Sequence, residues 1–258
     1  MRIARFVAGD DIHYAIVEGP AGEEELHLLV DDPIFGRIEP TGKHLALADH
    51  RLLAPILPRS KVVAVARNYP AHAAETDTEV PPSPLLFFKP NTSVIGPDDP
   101  IVLPDWSQRV DYEGELAVVI GRMTRNVEPE DALKYVYGYT CGNDVTARDV
   151  QAAESQWARA KGFDTACPLG PWIVTDLDTT ALAVQTRLDG ELRQDSTTAE
   201  MVFDVPYLVS FCSKAFTLLP GDVILTGTPA GIGPIEAGQV VEVTIEDIGT
   251  LRNPAVRR

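Results

Sequence analysis

Apolar and polar residues alternate loosely through residues 2–30, as in RIARFVAG and HYAIVEG, with Gly9-Asp10-Asp11 and Gly19-Pro20 between the runs. Period-two alternation punctuated by turn formers predicts short antiparallel strands. Residues 31–58 lose that pattern, turn rich in Pro, Gly and Asp, and end in LLAPILPRS. The division this implies is a small β-rich N-terminal region over 1–58 and a larger unit over 59–258. Lys61–Ala66 is a short apolar strand. NYPAHAAE reads as a helix start, because Pro70 suits a first turn, and His72 and Glu75 are then i and i+3 on one face. Pro81, Pro82 and Pro84 exclude regular structure before the strand LLFFK. VDYEGELAVVIG is the clearest strand, and its continuous LAVVI predicts burial on both faces.

Further on, PEDALKYVYG reads as a helix with acidic residues in its first turn. YTCGNDVTARDV passes from strand through loop to helix. DTACPLGPWIVT and LAVQTRLDGELR are strands, the latter turning at Asp189-Gly190. DVPYLVSFCSKAF is a helix of about three turns. LLPGDVILTGTPAGIG is turn, strand and Gly-rich loop, and the alternation of QVVEVTIEDIGTLRNP closes the chain. Many strands and few helices, without βαβ regularity, predict a β-dominated α+β fold.

Composition narrows the partners. The 258 residues carry 22 Lys and Arg against 38 Asp and Glu, a formal net charge of −16. Such a balance disfavours nucleic acid and anionic membrane. It leaves room for a small anionic substrate, since a metal and a few local cations invert the field in one cleft. Cys141, Cys167 and Cys212 form no C-x-x-C pair, so a reduced, cytoplasmic setting is expected. The N-terminus has no signal-peptide core, and no run approaches the ~20 apolar residues of a membrane span.

The candidate chemistry lies in three places. Glu113 and Glu115, two apart on a strand, leave one face ~6.7 Å apart along it. Paired carboxylates repel unless a cation lies between them, and oxygen donors suit Mg²⁺, Mn²⁺ or Ca²⁺; a solvated strand face is the alternative. Asp144 lies in a Gly-Asn-Asp turn and is either a third ligand or turn chemistry. If its segment is helical, Arg148 and Gln151 share its face, and Arg148 either holds a substrate carboxylate or pairs with Asp144 or Asp149. His72 with Glu75 is an acid/base pair, because a carboxylate orients an imidazole and raises its basicity. Lys161 in RAKGFD is an oxyanion stabiliser or a surface charge. TGTPAGIG lacks the Gly-Lys-Ser/Thr of a P-loop, but its N–H groups and Thr228 could grip a carboxylate.

The ordered segments RNYPAHAAE, LLFFKP, VDYEGELAVVIG, NDVTARDVQ, AKGFDTACPLGPW and PGDVILTGTPAGIG together resemble the fumarylacetoacetate hydrolase family over about residues 60–250. The resemblance implies a β-rich roll with mixed helices, usually dimeric. It implies Mg²⁺ or Mn²⁺ on Glu113, Glu115 and Asp144, and His72 with Glu75 as general base. Lys161, Arg148, Gln151 and Thr228 fall on catalytic or substrate-contact positions. Two positions depart from the family: Ala66 stands where a Gly is common, and Val65 where long-form members carry a further Asp ligand. The chain therefore groups with short-form members, whose reactions include acylpyruvate hydrolysis, oxaloacetate decarboxylation and isomerisation of 2-hydroxyhepta-2,4-diene-1,7-dioate. Hydrolytic C–C cleavage of an acylpyruvate or fumarylpyruvate is the leading expectation, with isomerase and decarboxylase as alternatives. A catalytically silent metal- or metabolite-binding protein is the competing class. A zinc hydrolase is disfavoured, since no second His lies near His72.

Overall fold

The computed structural model describes residues 1–257. Strand takes 42% of the chain and helix 17%, so the fold is the β-dominated α+β type the pattern predicts. One long sheet runs from Pro40–Ala46 at one edge through Glu25–Leu29, Asp11–Glu18, Arg2–Ala8, Cys167–Val174, Val136–Asn143, Gly114–Ile120, Val223–Leu225 and Val62–Ala66 to Leu85–Lys89. The N-terminal strands thus continue the main sheet, entering it where Arg2 and Ile3 pair with Val174 and Ile173. A five-stranded sheet (Glu191–Thr197, Ala183–Leu188, Val240–Ile245, Gly249–Arg257 and Ile101–Leu103) and a three-stranded one (Thr146–Ala147, Val110–Tyr112 and Gly233–Pro234) complete the architecture.

The Gly114–Ile120 strand is buried along its whole length. Leu116, Val118 and Ile120 face a cluster with Val184, Val243 and Ile245 of the five-stranded sheet and with Leu208, Val209 and Cys212 of the Val205–Ala215 helix. Ala117 and Val119 face the opposite cluster with Ala64, Leu169 and Leu225. Two apolar faces are why LAVVI shows no alternation. Asp204 caps the Val205–Ala215 helix by accepting the Tyr207 N–H at 2.9 Å, and Pro206 occupies its first turn. At the Asp189-Gly190 turn both residues have positive φ, 51° and 80°, as a two-residue hairpin requires.

Three local readings need correction. PEDALKYVYG is helical only over Pro129–Ala132, followed by a 3₁₀ turn at Leu133–Tyr135; Val136 already begins a strand. Val136, Tyr137 and Tyr139 are better accommodated in the central sheet than on an exposed helix. Residues 31–58 contain a strand, Pro40–Ala46, that pairs with Glu25–Leu29. It is an almost wholly exposed edge, so it carries no burial alternation that could reveal it. Asp144 lies in the loop after Val136–Asn143, ahead of the helix that starts at Arg148, so the condition under which it would share a helix face with Arg148 and Gln151 is not met.

Among the described residues no helix is long and apolar enough to cross a membrane. All three cysteines are free and buried, and burial pushes each thiol up to about 12, which leaves them unreactive.

Gly114 separates the two glutamates of the E-G-E run where its strand packs against the five-stranded sheet. A Cβ there would lie 2.1 Å from Thr186 Oγ1 and 3.2 Å from Val243 Cγ1. Gly114→Ala is expected to destabilise the fold by about 1–3 kcal/mol through overpacking. That corresponds to a fall in Tm of roughly 3–10 °C for a chain of this size. A calorimetric melt indistinguishable from that of the wild type would refute the close approach.

Candidate active site

Four segments, far apart in the chain, converge on one cavity of about 310 Å³. The first is the loop after Val62–Ala66 and the short helix Pro70–Glu75, which carries His72. The second is the break between Val110–Tyr112 and Gly114–Ile120, where Glu113 and Glu115 sit. The third runs from Asp144 into the Arg148–Ala153 and Ala158–Gly162 helices with Arg148, Gln151 and Lys161. The fourth is the Gly-rich loop with Thr228. All nine candidate residues except Glu75 line the cavity, and Glu75 touches it through His72.

Glu113, Glu115 and Asp144 each bring a carboxylate oxygen within 4.8 Å of the others, and all three residues are buried. Glu113 is oriented by the Asn143 side chain, which accepts its N–H at 2.9 Å. Gln194 reaches across from the five-stranded sheet to accept the Gly114 N–H at 3.0 Å. Its amide also donates to Thr228 Oγ1 at 2.7 Å, and that hydroxyl donates in turn to the Gly114 carbonyl at 2.9 Å. Thr228 therefore lines the cavity but spends its proton on the backbone that positions the glutamates. The adjacent Gly227 N–H donates to Glu115 at 2.7 Å.

The cations are drawn in tightly. Lys161 Nζ donates to Glu113 at 2.8 Å and to Asp144 at 2.6 Å, leaving one of its three protons for a ligand. Arg148 donates to Asp111 at 2.9 Å, to Gln151 Oε1 at 2.7 Å, and to Glu113. Two of its five N–H groups remain. Lys89, fully buried, pairs with the other oxygen of Asp144. Sequence reasoning passed over both Lys89 and Gln194. Lys89 follows Phe87 by two in a strand, so alternation places it in phase with a residue that lines the cavity. Gln194 looks solvent-facing in a hairpin and has no such signal.

Burial alone would push the Glu113 carboxyl up, yet Lys161 and Arg148 beside it hold it well below the usual carboxylate range. Glu115 moves the other way: burial, then the charges of Asp144 and Glu113, hold it well above. Burial opposes the charge on Lys161, but Asp144 and Glu113 raise it above an ordinary lysine. Among the described residues Glu115 has no ion pair. One buried, unpaired carboxylate against two charged ones is where a hard divalent cation fits, and the all-oxygen donor set suits such a cation better than zinc. Glu113, Glu115 and Asp144 would hold it.

His72 is buried, and its Nδ1 lies 2.8 Å from Glu75 Oε1. Glu75 is itself fixed, since its other oxygen accepts the Gly231 N–H at 2.9 Å. With Nδ1 directed at the carboxylate, Nε2 is the nitrogen left for a ligand.

Residues 61–256 match the family described as fumarylacetoacetate (FAA) hydrolase C-terminal. The chain belongs to this family. Residues 1–55 match a second family, described as Rv2993c-like, N-terminal. The crystal structure of 5-carboxymethyl-2-hydroxymuconate delta-isomerase from Mycobacterium smegmatis is 50% identical, with a TM-score of 0.93 and full coverage of both chains. Fumarylpyruvate hydrolase from Pseudomonas aeruginosa, solved with Mn²⁺ and pyruvate, is 30% identical, with a TM-score of 0.74 over 81% of this chain and 92% of that one. The mitochondrial oxaloacetate tautomerase fahd2 of Xenopus laevis is 43% identical over 82% of this chain and 70% of that protein. The protein is thus an enzyme of the fumarylacetoacetate hydrolase superfamily, in which hydrolases, isomerases and tautomerases share one fold.

The direction of the Glu115 shift fixes a pH dependence. A carboxyl raised above its unfolded value adds stability below the unfolded pKa, and that stability is lost as pH rises through the folded one. The metal-free protein therefore weakens with rising pH over that range, and a cation that takes up the ionised form restores it. The rise in Tm on adding Mn²⁺ is expected to be larger at pH about 8 than at pH about 5.5. Glu115→Gln should abolish that rise and leave the metal-free protein at least as stable at the higher pH. A Mn²⁺ shift that is equal at both pH values, or survives in the variant, would remove Glu115 from the ligand set.

Proposed function

We propose that the protein is a Mg²⁺- or Mn²⁺-dependent enzyme of 2,4-dioxo acids or their enols. Its reaction in this reading is hydrolytic C–C cleavage of an acylpyruvate, of the acetyl- or fumarylpyruvate type, releasing pyruvate. One observation carries it: the His72–Glu75 pair shares a cavity with the Glu113, Glu115 and Asp144 cluster. Bound by those carboxylates, a divalent cation supplies Lewis acidity toward the carboxylate and 2-oxo oxygens of a substrate.

The remaining work belongs to the chain. His72 Nε2 takes a proton from water, whose oxygen adds to the 4-carbonyl carbon. The bond between carbons 3 and 4 then breaks, its electron pair staying on carbon 3, and a proton delivered to that carbon completes pyruvate. Glu75 holds the ring and offsets the charge on the protonated imidazole. The free Lys161 proton is available to the oxygen that becomes negative during addition. Trp157 and Phe87, edge to face at 5.6 Å, form an apolar wall that limits water in the cavity.

A second reading is favoured by the full-length likeness to the Mycobacterium smegmatis isomerase. There His72 only moves a proton between positions of an enol and its keto form, with no attack by water. The two readings separate by product. Purified protein with Mn²⁺ or Mg²⁺ is assayed against acetylpyruvate, fumarylpyruvate, oxaloacetate and 2-hydroxyhepta-2,4-diene-1,7-dioate. Hydrolysis gives pyruvate and an acid in equal amounts; isomerisation gives an ultraviolet spectral change with no pyruvate. EDTA should abolish turnover, and His72→Ala should lower it by roughly 10²–10⁴-fold. Turnover that survives both EDTA and His72→Ala would sink the reading.

A further inference from the structure

Three residues with cationic side chains line the cavity: Arg67, Arg148 and Lys161. Two of them are committed to the protein itself. Arg148 is held by Asp111, Glu113 and Gln151, and Lys161 by Glu113 and Asp144. Arg67 makes no hydrogen bond or ion pair with any described residue. It is half-buried, whereas Glu113, Glu115 and Asp144 are buried.

Its backbone is unusual as well. Arg67 has φ 58°, in the left-handed region that glycine adopts freely and an L-residue does not. The chain is locked there from the next residue. The Asn68 side chain donates to the Phe203 and Thr226 carbonyls at 3.0 and 2.7 Å and accepts the Phe203 N–H at 2.8 Å, while its own carbonyl accepts the Val202 N–H at 2.8 Å. Gly227 packs against the same turn, and a Cβ on it would lie 2.7 Å from Asn68 Cβ. A long cation is thus held on a strained, immobilised backbone at a position where glycine would sit more easily. Strain maintained by surrounding structure accompanies a side chain with work to do.

The geometry points to Arg67 as the specificity-determining residue of the site, gripping a second carboxylate at the far end of a dianionic 2-oxo acid. This rests on the proposal that the cavity binds 2-oxo acids, and it deepens that proposal by naming their charge class. The head of such a ligand belongs with the three carboxylates and their cation. Its tail passes His72, five residues along the chain from Arg67, and meets the one guanidinium whose bidentate fork is unclaimed.

The test uses two ligands of equal length that differ only at the tail. Binding of 2-oxoglutarate and of 2-oxopentanoate to the Mn²⁺-loaded protein is measured by titration calorimetry at one ionic strength. The wild type should prefer the dianion by roughly 10-fold or more, the scale of a hydrogen-bonded charge pair. In Arg67→Gly, which relieves the backbone, the ratio of the two affinities should fall toward one, and a thermal melt should show a fold no less stable. Arg67→Lys should keep part of the preference, because charge remains and the fork is lost. A wild type that binds both ligands without preference, or an Arg67→Gly variant that keeps the wild-type ratio, overturns the assignment and leaves the 2-oxo acid reading intact. A wild type that binds Mn²⁺ but neither ligand overturns both.

Discussion

Carboxylates placed together away from water are tolerated only if cations and hydrogen-bond donors meet them, since each unpaired ion costs several kcal/mol. Asp111, Glu113, Glu115 and Asp144 are all at or below 4% exposure, packed where the sheets approach. Arg148, Lys161 and Lys89 answer them from two short helices and an edge strand, with Arg109 reaching Asp111 from outside. The contacts of Arg148, Lys161 and Lys89 tie segments distant in the chain to one point. The deficit in the arrangement falls on Glu115, and a hard cation held there would offset it.

The supporting structure is correspondingly stiff. The glutamates lie at the start of a strand buried on both faces, and its first residue leaves no room for a side chain. Gln194, Thr228 and the Gly227 N–H hold that start from two directions. His72 sits on a helix of only six residues, Pro70–Glu75, which has little stability of its own. Its Glu75 is bonded to the Gly231 N–H, so the same Gly-rich loop braces both the glutamates and the His72 helix. Preorganisation of this kind separates a site that can do acid–base chemistry from one that merely holds a metal.

Local chemistry made much of this legible. The uninterrupted apolar run after Glu115 marked a central strand, the E-G-E spacing a carboxylate pair, and the i, i+3 spacing of His72 and Glu75 a contact that the helix forms. The readings that failed did so for physical reasons. Val136 and Tyr137 left the helix because pairing in a central sheet outweighs a weak local preference. Asp144 shares no helix face with Arg148 and Gln151, since helical structure begins only at Arg148. Thr228 lines the cavity as expected of a ligand contact, and its hydroxyl also donates to the Gly114 carbonyl, a partner no spacing rule could locate.

By itself, then, the sequence determined most of the elements, the residue types able to bind a cation or carry a proton, and the family. Each of these is encoded within a few neighbouring positions through backbone periodicity and side-chain chemistry. Which charges meet was decided only by tertiary structure. Lys89 and Asp144 are far apart in the chain, as are Gln194 and Gly114, and only the packed sheets bring each pair within bonding distance. Whether a given arginine is free for a ligand depends on how many buried carboxylates surround it, and that distinction between Arg148 and Arg67 exists only once the chain is folded.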